Sequence, residues 1–151
     1  MAGRNSIVLK GHYLRKEGKA TVAVKPGMLV QWDAAIDAVK PQLAGAPSGT
    51  QGATRKAFAL ENDLVGQGID DNYDIGDTVQ YGVFQRGAEV QALLATGNNV
   101  AIGGAVVSNG AGNLKIAATN YGDDDEEVVG YAMEALNNSS GSDARLRIEV
   151  A

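Results

Sequence analysis

Cysteine is absent from the 151 residues, which excludes disulfides, thiolate metal sites and a cysteine nucleophile. That absence leaves the compartment open. Aromatic residues are sparse, with one Trp, two Phe and five Tyr, and the only histidine is His12. One histidine without a cysteine gives a nucleophile–histidine triad little to work with, and no G-x-S-x-G elbow occurs. His12 reads as a surface or half-buried structural residue. No window approaches the roughly 18 consecutive apolar residues of a membrane span. The first residues also hold no apolar run of signal-peptide length before Lys10. The expectation is a protein with no membrane partner.

Glycine is plentiful, at twenty residues spread through apolar stretches, and this points to many tight turns between short strands. Charge is unevenly placed. The first 25 residues carry six Lys/Arg (Arg4, Lys10, Arg15, Lys16, Lys19 and Lys25) and one acid, while the remaining 126 carry seven against seventeen. A basic arm on an acidic body suggests docking onto a partner of acidic surface, with the body facing water. A solvated strand that happens to be basic reads equally well from composition. The net charge of -5 argues against general nucleic-acid binding, and Tyr13 is the arm's only aromatic.

Period-two alternation dominates the chain. Strands are expected over Ser6–Lys10, Lys19–Val24, Met28–Trp32 after the Pro26-Gly27 turn, Arg55–Leu60, Thr78–Gln85, Glu89–Leu94 and Ala144–Val150. In the last of these Leu146, Ile148 and Val150 point inward. Arg86-Gly87-Ala88 reads as the turn of a hairpin, and Asn109-Gly110 as the turn between Ala105–Ser108 and Leu114–Ala117. Asp33–Val39 is ambiguous between a short helix and a loop leading to a strand over Ala38–Leu43. Val128–Leu136 favours strand over helix because of Val128, Val129 and Tyr131. Residues 44–54 (AGAPSGTQGAT) form a mobile loop with nothing to bury. The fold expected is all-β: one compact barrel- or sandwich-like domain of about ten short strands, with an extended basic N-terminal arm. The arm takes residues 1–25 and the body 26–151.

The candidates for chemistry are weak. Gly66-Gln67-Gly68 lacks the third glycine of a dinucleotide loop, an acid standing in its place. Asp70, Asn72 and Asp74 occupy alternate positions of a calcium loop, but Gly76 comes one place late and Tyr81 stands where the bidentate Glu belongs. A turn held by Asx hydrogen bonds is the default, and no metal or cofactor is expected. The run Asp123 to Glu127 is a solvated loop. No catalytic residue is assigned. Trp32, Tyr73 and Tyr81 are the residues to suspect if the domain binds carbohydrate or a host surface.

Beyond these readings, the run from Phe58 to Tyr73 (FALENDLVGQGIDDNY) resembles the signature of tailed-phage capsid cement, or head decoration, proteins. Gly76-Asp77-Thr78-Val79, Gln85–Val90, Asn99–Gly103, Ser108–Gly112, Val129–Ala135, Arg145–Val150 and the Pro26–Val30 turn and strand fit as well. The resemblance covers residues 26–151, and 1–25 match less firmly. It implies a β-rich fold, a strand over Ala38–Leu43 and no enzyme activity. It implies a virion protein on the outer surface of the capsid, stabilising the lattice of the major capsid protein. Neighbouring copies are further partners, and trimers, dimers and capsid-bound monomers are all compatible. The basic residues of the arm are expected to contact the capsid. Glu61, Asn62, Asp63, Gly68, Asp70, Asp71, Tyr73, Gly76 and Asp77 are expected to shape the motif loop.

Overall fold

The computed structural model describes residues 6–33, 38–41, 56–117 and 127–151. Arg4, the 44–54 loop and the acids at 123–126 lie outside them. Among the described residues, thirteen short strands and one 3-10 turn (Asp63–Val65) follow in order. They are β1 (Val8–Lys10), β2 (Tyr13–Ala20), β3 (Val30–Asp33), β4 (Ala38–Pro41), β5 (Ala57–Ala59), β6 (Thr78–Phe84), β7 (Glu89–Leu94), β8 (Asn98–Val100), β9 (Ala105–Ser108), β10 (Leu114–Ile116), β11 (Val128–Ala132), β12 (Leu136–Asn138) and β13 (Ala144–Val150). The all-β expectation holds, with more and shorter strands than the turn signals suggest.

The strands close into two rings. In the first, β7, β10, β9, β11 and β13 pair in succession and β13 pairs back onto β7, with β1 added along β7. Its core is what alternation in β7 and β13 dictates: Val90, Ala92 and Leu94 face Ile148, Leu146 and Ala144 across the ladder, and the first three are fully buried. The second ring runs β3-β4-β2-β6-β5. A Leu29–Phe58 bridge closes it, reinforced by the Ala59 N–H donating to the Met28 carbonyl at 2.9 Å. Its interior holds Ala20, Val30, Val39, Ala59, Tyr73, Val79 and Tyr81. Phe58 and Phe84 of the second ring, and Leu29 just before its strand β3, pack with the core of the first. The two cores therefore meet. β8 and β12 form a separate two-stranded ribbon.

Three sequence expectations change. The Lys19–Val24 strand is displaced: the strand is Tyr13–Ala20, and beyond it only Val24 makes a bridge, to Tyr73. β6 and β7 are strands but not a hairpin. β6 pairs with β2 and β5 while β7 pairs with β1, β10 and β13, so the Gly87 turn (φ 87°) carries the chain from one ring to the other. The basic segment is extended, yet it is woven into both rings rather than standing apart. Ile7 is fully buried, β1 lies on β7, and β2 pairs with β6 over seven residues. Residues 38–41 are strand, not helix.

Candidate functional site

β2 brings the basic segment and the motif loop together. Opposed residues of β2 and β6 share a face, so Tyr13 sits over Phe84 with ring centroids 5.1 Å apart. Gly82, opposite Arg15, leaves room for that stack, because a Cβ there would lie 2.7 Å from Tyr13 Cδ2. On the same face Arg15 donates from Nη2 to Asp63 Oδ1 at 2.7 Å and from Nε to Gln80 Oε1 at 3.2 Å. Gln80 Nε2 in turn donates to Glu17 Oε2 at 3.2 Å. The hydrogen bond from Arg15 holds the Asp63 carboxyl below its ordinary pKa, and the same bond raises that of Arg15. A hollow of about 190 Å³ is lined by Arg15, Asp63, Glu61, Tyr13, Ser6 and neighbouring apolar groups. Its charged groups are already engaged: Glu61 accepts from Ser6 Oγ at 2.9 Å and from the Ile7 N–H at 3.1 Å.

The motif loop, residues 61–77, satisfies much of its own polarity. The Asn62 carbonyl accepts from the Val65 and Gln67 N–H groups. Gly68 N–H donates to Asp71 Oδ2 at 2.7 Å, and Asp74 N–H to Asp77 Oδ2 at 2.8 Å. Gly76 takes a left-handed φ of 88° while its N–H donates to the Ala20 carbonyl. Tyr73 is the loop's anchor, 1% exposed, with its hydroxyl donating to the Leu60 carbonyl at 2.8 Å and accepting from the Gln80 N–H at 3.4 Å. Burial pushes its pKa up to about 12. Asp70 turns to Arg145 Nη2 at 3.4 Å, and among the described residues no group of three or more His, Cys, Asp or Glu is placed to hold a metal.

Arg145 had no signal in the sequence beyond its outward place in β13. Its guanidinium donates to the carbonyls of Pro26 and Ile69 as well as to Asp70, clamping the first ring to the turn and loop of the second. Burial lowers its pKa and Asp70 opposes that shift. Gly27 (φ 91°) makes the approach possible, since a Cβ there would meet Arg145 Nη1 and lie 2.9 Å from the Gln91 carbonyl oxygen. Lys56 and Glu127 form a second ion pair, linking the start of β5 to the residue before β11.

The basic residues do not form one patch. Lys10 pairs with Glu89 at 3.6 Å on β1 and β7, and Arg15 is neutralised by Asp63. Lys19 shares the Arg15 face of β2, whereas Lys16 stands on the other, opposite Tyr81. Lys25 lies in the turn before β3, where its carbonyl accepts from Met28 N–H. His12 is exposed between β1 and β2. Of the suspected aromatics, Tyr73 is removed by burial. Trp32, 47% exposed, and Tyr81 line a shallow notch of about 410 Å³ with Lys16 and Glu17. β4 accompanies β2 only at Lys19 and Ala20, so the edge of Tyr13–Glu17 turned away from β6 has no strand partner among the described residues.

No protein-family model and no curated protein matches the chain. Among solved structures, the crystal structure of the head fiber gp8.5 N base in bacteriophage phi29 is similar in fold. The TM-score is 0.53 at 14% sequence identity, over 93% of this chain and 95% of that one. The shared all-β architecture thus extends over nearly the whole of both chains.

Proposed function

We propose that the chain is a structural protein of a tailed-phage head, bound to the outside of the expanded shell, where it reinforces the lattice of the major capsid protein. The observation that carries this reading is the correspondence in fold with a phage head fiber base from end to end. The resemblance of the 58–73 run to cement proteins supports it from an independent direction. A protein with this role needs no turnover. It has to bind the assembled lattice better than free subunits, and it then stabilises the assembly by mass action. An interface of roughly 1,200–2,000 Å² per copy suffices when copies bridge neighbouring subunits repeatedly.

The basic segment supplies the contact in this proposal. Lys10 and Arg15 are spoken for inside the molecule, so Lys16, Lys19 and Lys25, together with Arg4, are the cations offered to an acidic shell. Arg15 and Asp63 instead hold the motif loop against β2. The test is co-sedimentation with expanded heads that lack the protein. Saturable binding at a fixed ratio to capsid subunits, with a raised temperature of head disruption, is expected. A Lys19→Glu/Lys25→Glu double variant is expected to bind about tenfold more weakly while keeping its circular dichroism. A folded protein that does not sediment with heads would overturn the proposal.

A further inference from the structure

We propose that Asn109 is a latent modification site: it deamidates by closing a succinimide with Gly110 once the turn between β9 and β10 opens, and the isoaspartate formed then bars that turn from closing again. The inference is independent of attachment to a head. Asn109 is the only asparagine in the chain followed by glycine, so it is the one amide whose neighbouring main-chain nitrogen has no side chain beside it. The turn itself imposes that pairing. Gly110 takes a left-handed φ of 85°, which most residues with a Cβ adopt only under strain. A bulkier residue that would slow the chemistry is therefore disfavoured by the backbone.

In the closed turn the groups the reaction needs are held elsewhere. The Gly110 N–H, whose nitrogen is the nucleophile, donates to Ser108 Oγ at 3.1 Å. Asn109 Oδ1 accepts from the Ala111 N–H at 2.8 Å and from the Asn113 N–H at 3.1 Å, which fixes the side-chain amide. The Asn109 N–H donates to the Asn113 carbonyl at 2.8 Å, which fixes the main chain. Turning Asn109 so that Cγ meets the Gly110 nitrogen breaks these bonds, so the reactive state is the opened one, reached at a cost in local stability. Once the turn is open, the Gly110 nitrogen gives its proton to solvent and bonds to Asn109 Cγ, and Nδ2 leaves as ammonia. Water then cleaves one of the two acyl bonds of the imide nitrogen. Loss of the bond to Cγ leaves aspartate, and loss of the bond to the main-chain carbonyl carbon leaves isoaspartate. Aspartate keeps the oxygen that accepts from Ala111 and Asn113. Isoaspartate runs the main chain through Cβ and Cγ, which inserts an extra carbon between Ser108 and Leu114, cross-strand partners in the β9–β10 ladder. Leu114 is fully buried in the core of the first ring and pairs with Leu94 of β7 as well. A lengthened turn therefore displaces a core side chain.

The experiment incubates the full chain in mildly alkaline buffer, one sample native and one unfolded in guanidinium chloride. The peptide containing Asn109 is followed by mass spectrometry, and isoaspartate is detected by enzymatic methylation. The unfolded sample is expected to convert, with the native one slower by at least about tenfold. After dilution from denaturant, the fraction that regains the native circular dichroism is expected to fall in step with isoaspartate, while chains carrying aspartate refold. Ser108→Ala removes the acceptor of the Gly110 N–H. It is expected to raise the native rate about fivefold and to leave the unfolded rate unchanged. An unfolded sample that does not convert, or one that converts no faster than the native sample, would overturn the inference. So would complete refolding of isoaspartate chains, or a native Ser108→Ala rate no faster than that of the natural chain.

Discussion

Tyr73 carries more of the architecture than any other single side chain in the motif loop. It fills the core of the second ring, and its hydroxyl ties the loop to Leu60 and Gln80. Replacing it with Phe keeps the ring but strands a buried Leu60 carbonyl, a loss expected to cost about 1–2 kcal/mol in urea unfolding. The pH dependence has a definite sign. In the fold the phenol keeps its proton up to about pH 12, whereas a tyrosine in the unfolded chain ionises near 10. The stability it contributes is fully present below pH 10 and is lost as the pH rises from 10 to 12. Denaturation midpoints across that window should fall less steeply for Tyr73→Phe than for the natural protein. At this scale the sequence was partly readable. Trp32, Tyr73, Tyr81 and Lys16 all attract attention as residue types, but Glu17 carries no signal. Nothing local says that residues 16, 32 and 81 meet, because strand pairing over long separations has no short-range signature.

At the level of elements, readability followed how a strand is buried. β13 alternates cleanly because one face lies against a core, and Leu146, Ile148 and Val150 turn inward as their spacing dictates. β2 (YLRKEGKA) hides its role, since only Gly18 and Ala20 face the second core and four of its eight residues are charged. Its position is nonetheless central, with β4 on one side and β6 on the other. The Arg86-Gly87-Ala88 turn misleads for a different reason: a glycine turn reverses the chain equally well between sheets as within one. The segment that charge alone sets apart is thus a structural member. Removing residues 1–20 deletes β1 and β2 and opens the second ring, so the truncated chain is expected to lose its cooperative unfolding transition by circular dichroism. A truncated chain that still unfolds cooperatively at the natural midpoint would show that β2 is dispensable.

Across the whole molecule, the two rings share their stabilisation. Phe58 and Phe84, from the second ring, pack edge to face at 5.8 Å within the core of the first. Arg145 and the Lys56–Glu127 pair add polar ties between them. Rings joined this way should unfold as one unit. Scanning calorimetry is expected to give a single transition whose calorimetric and van't Hoff enthalpies agree. Two resolved transitions would show that the shared core does not couple them. Ring closure has another consequence. An unpaired strand is adhesive, offering its backbone to any neighbour of the same kind. A protein held in many side-by-side copies on a crowded shell would be exposed to that hazard at every contact. By turning its two larger sheets back on themselves, this chain leaves bare, among its described residues, chiefly the Tyr13–Glu17 edge of β2, the outer side of β1 and the short β8–β12 ribbon. On the shell proposed above, neighbouring copies would have only these short edges by which to zip together.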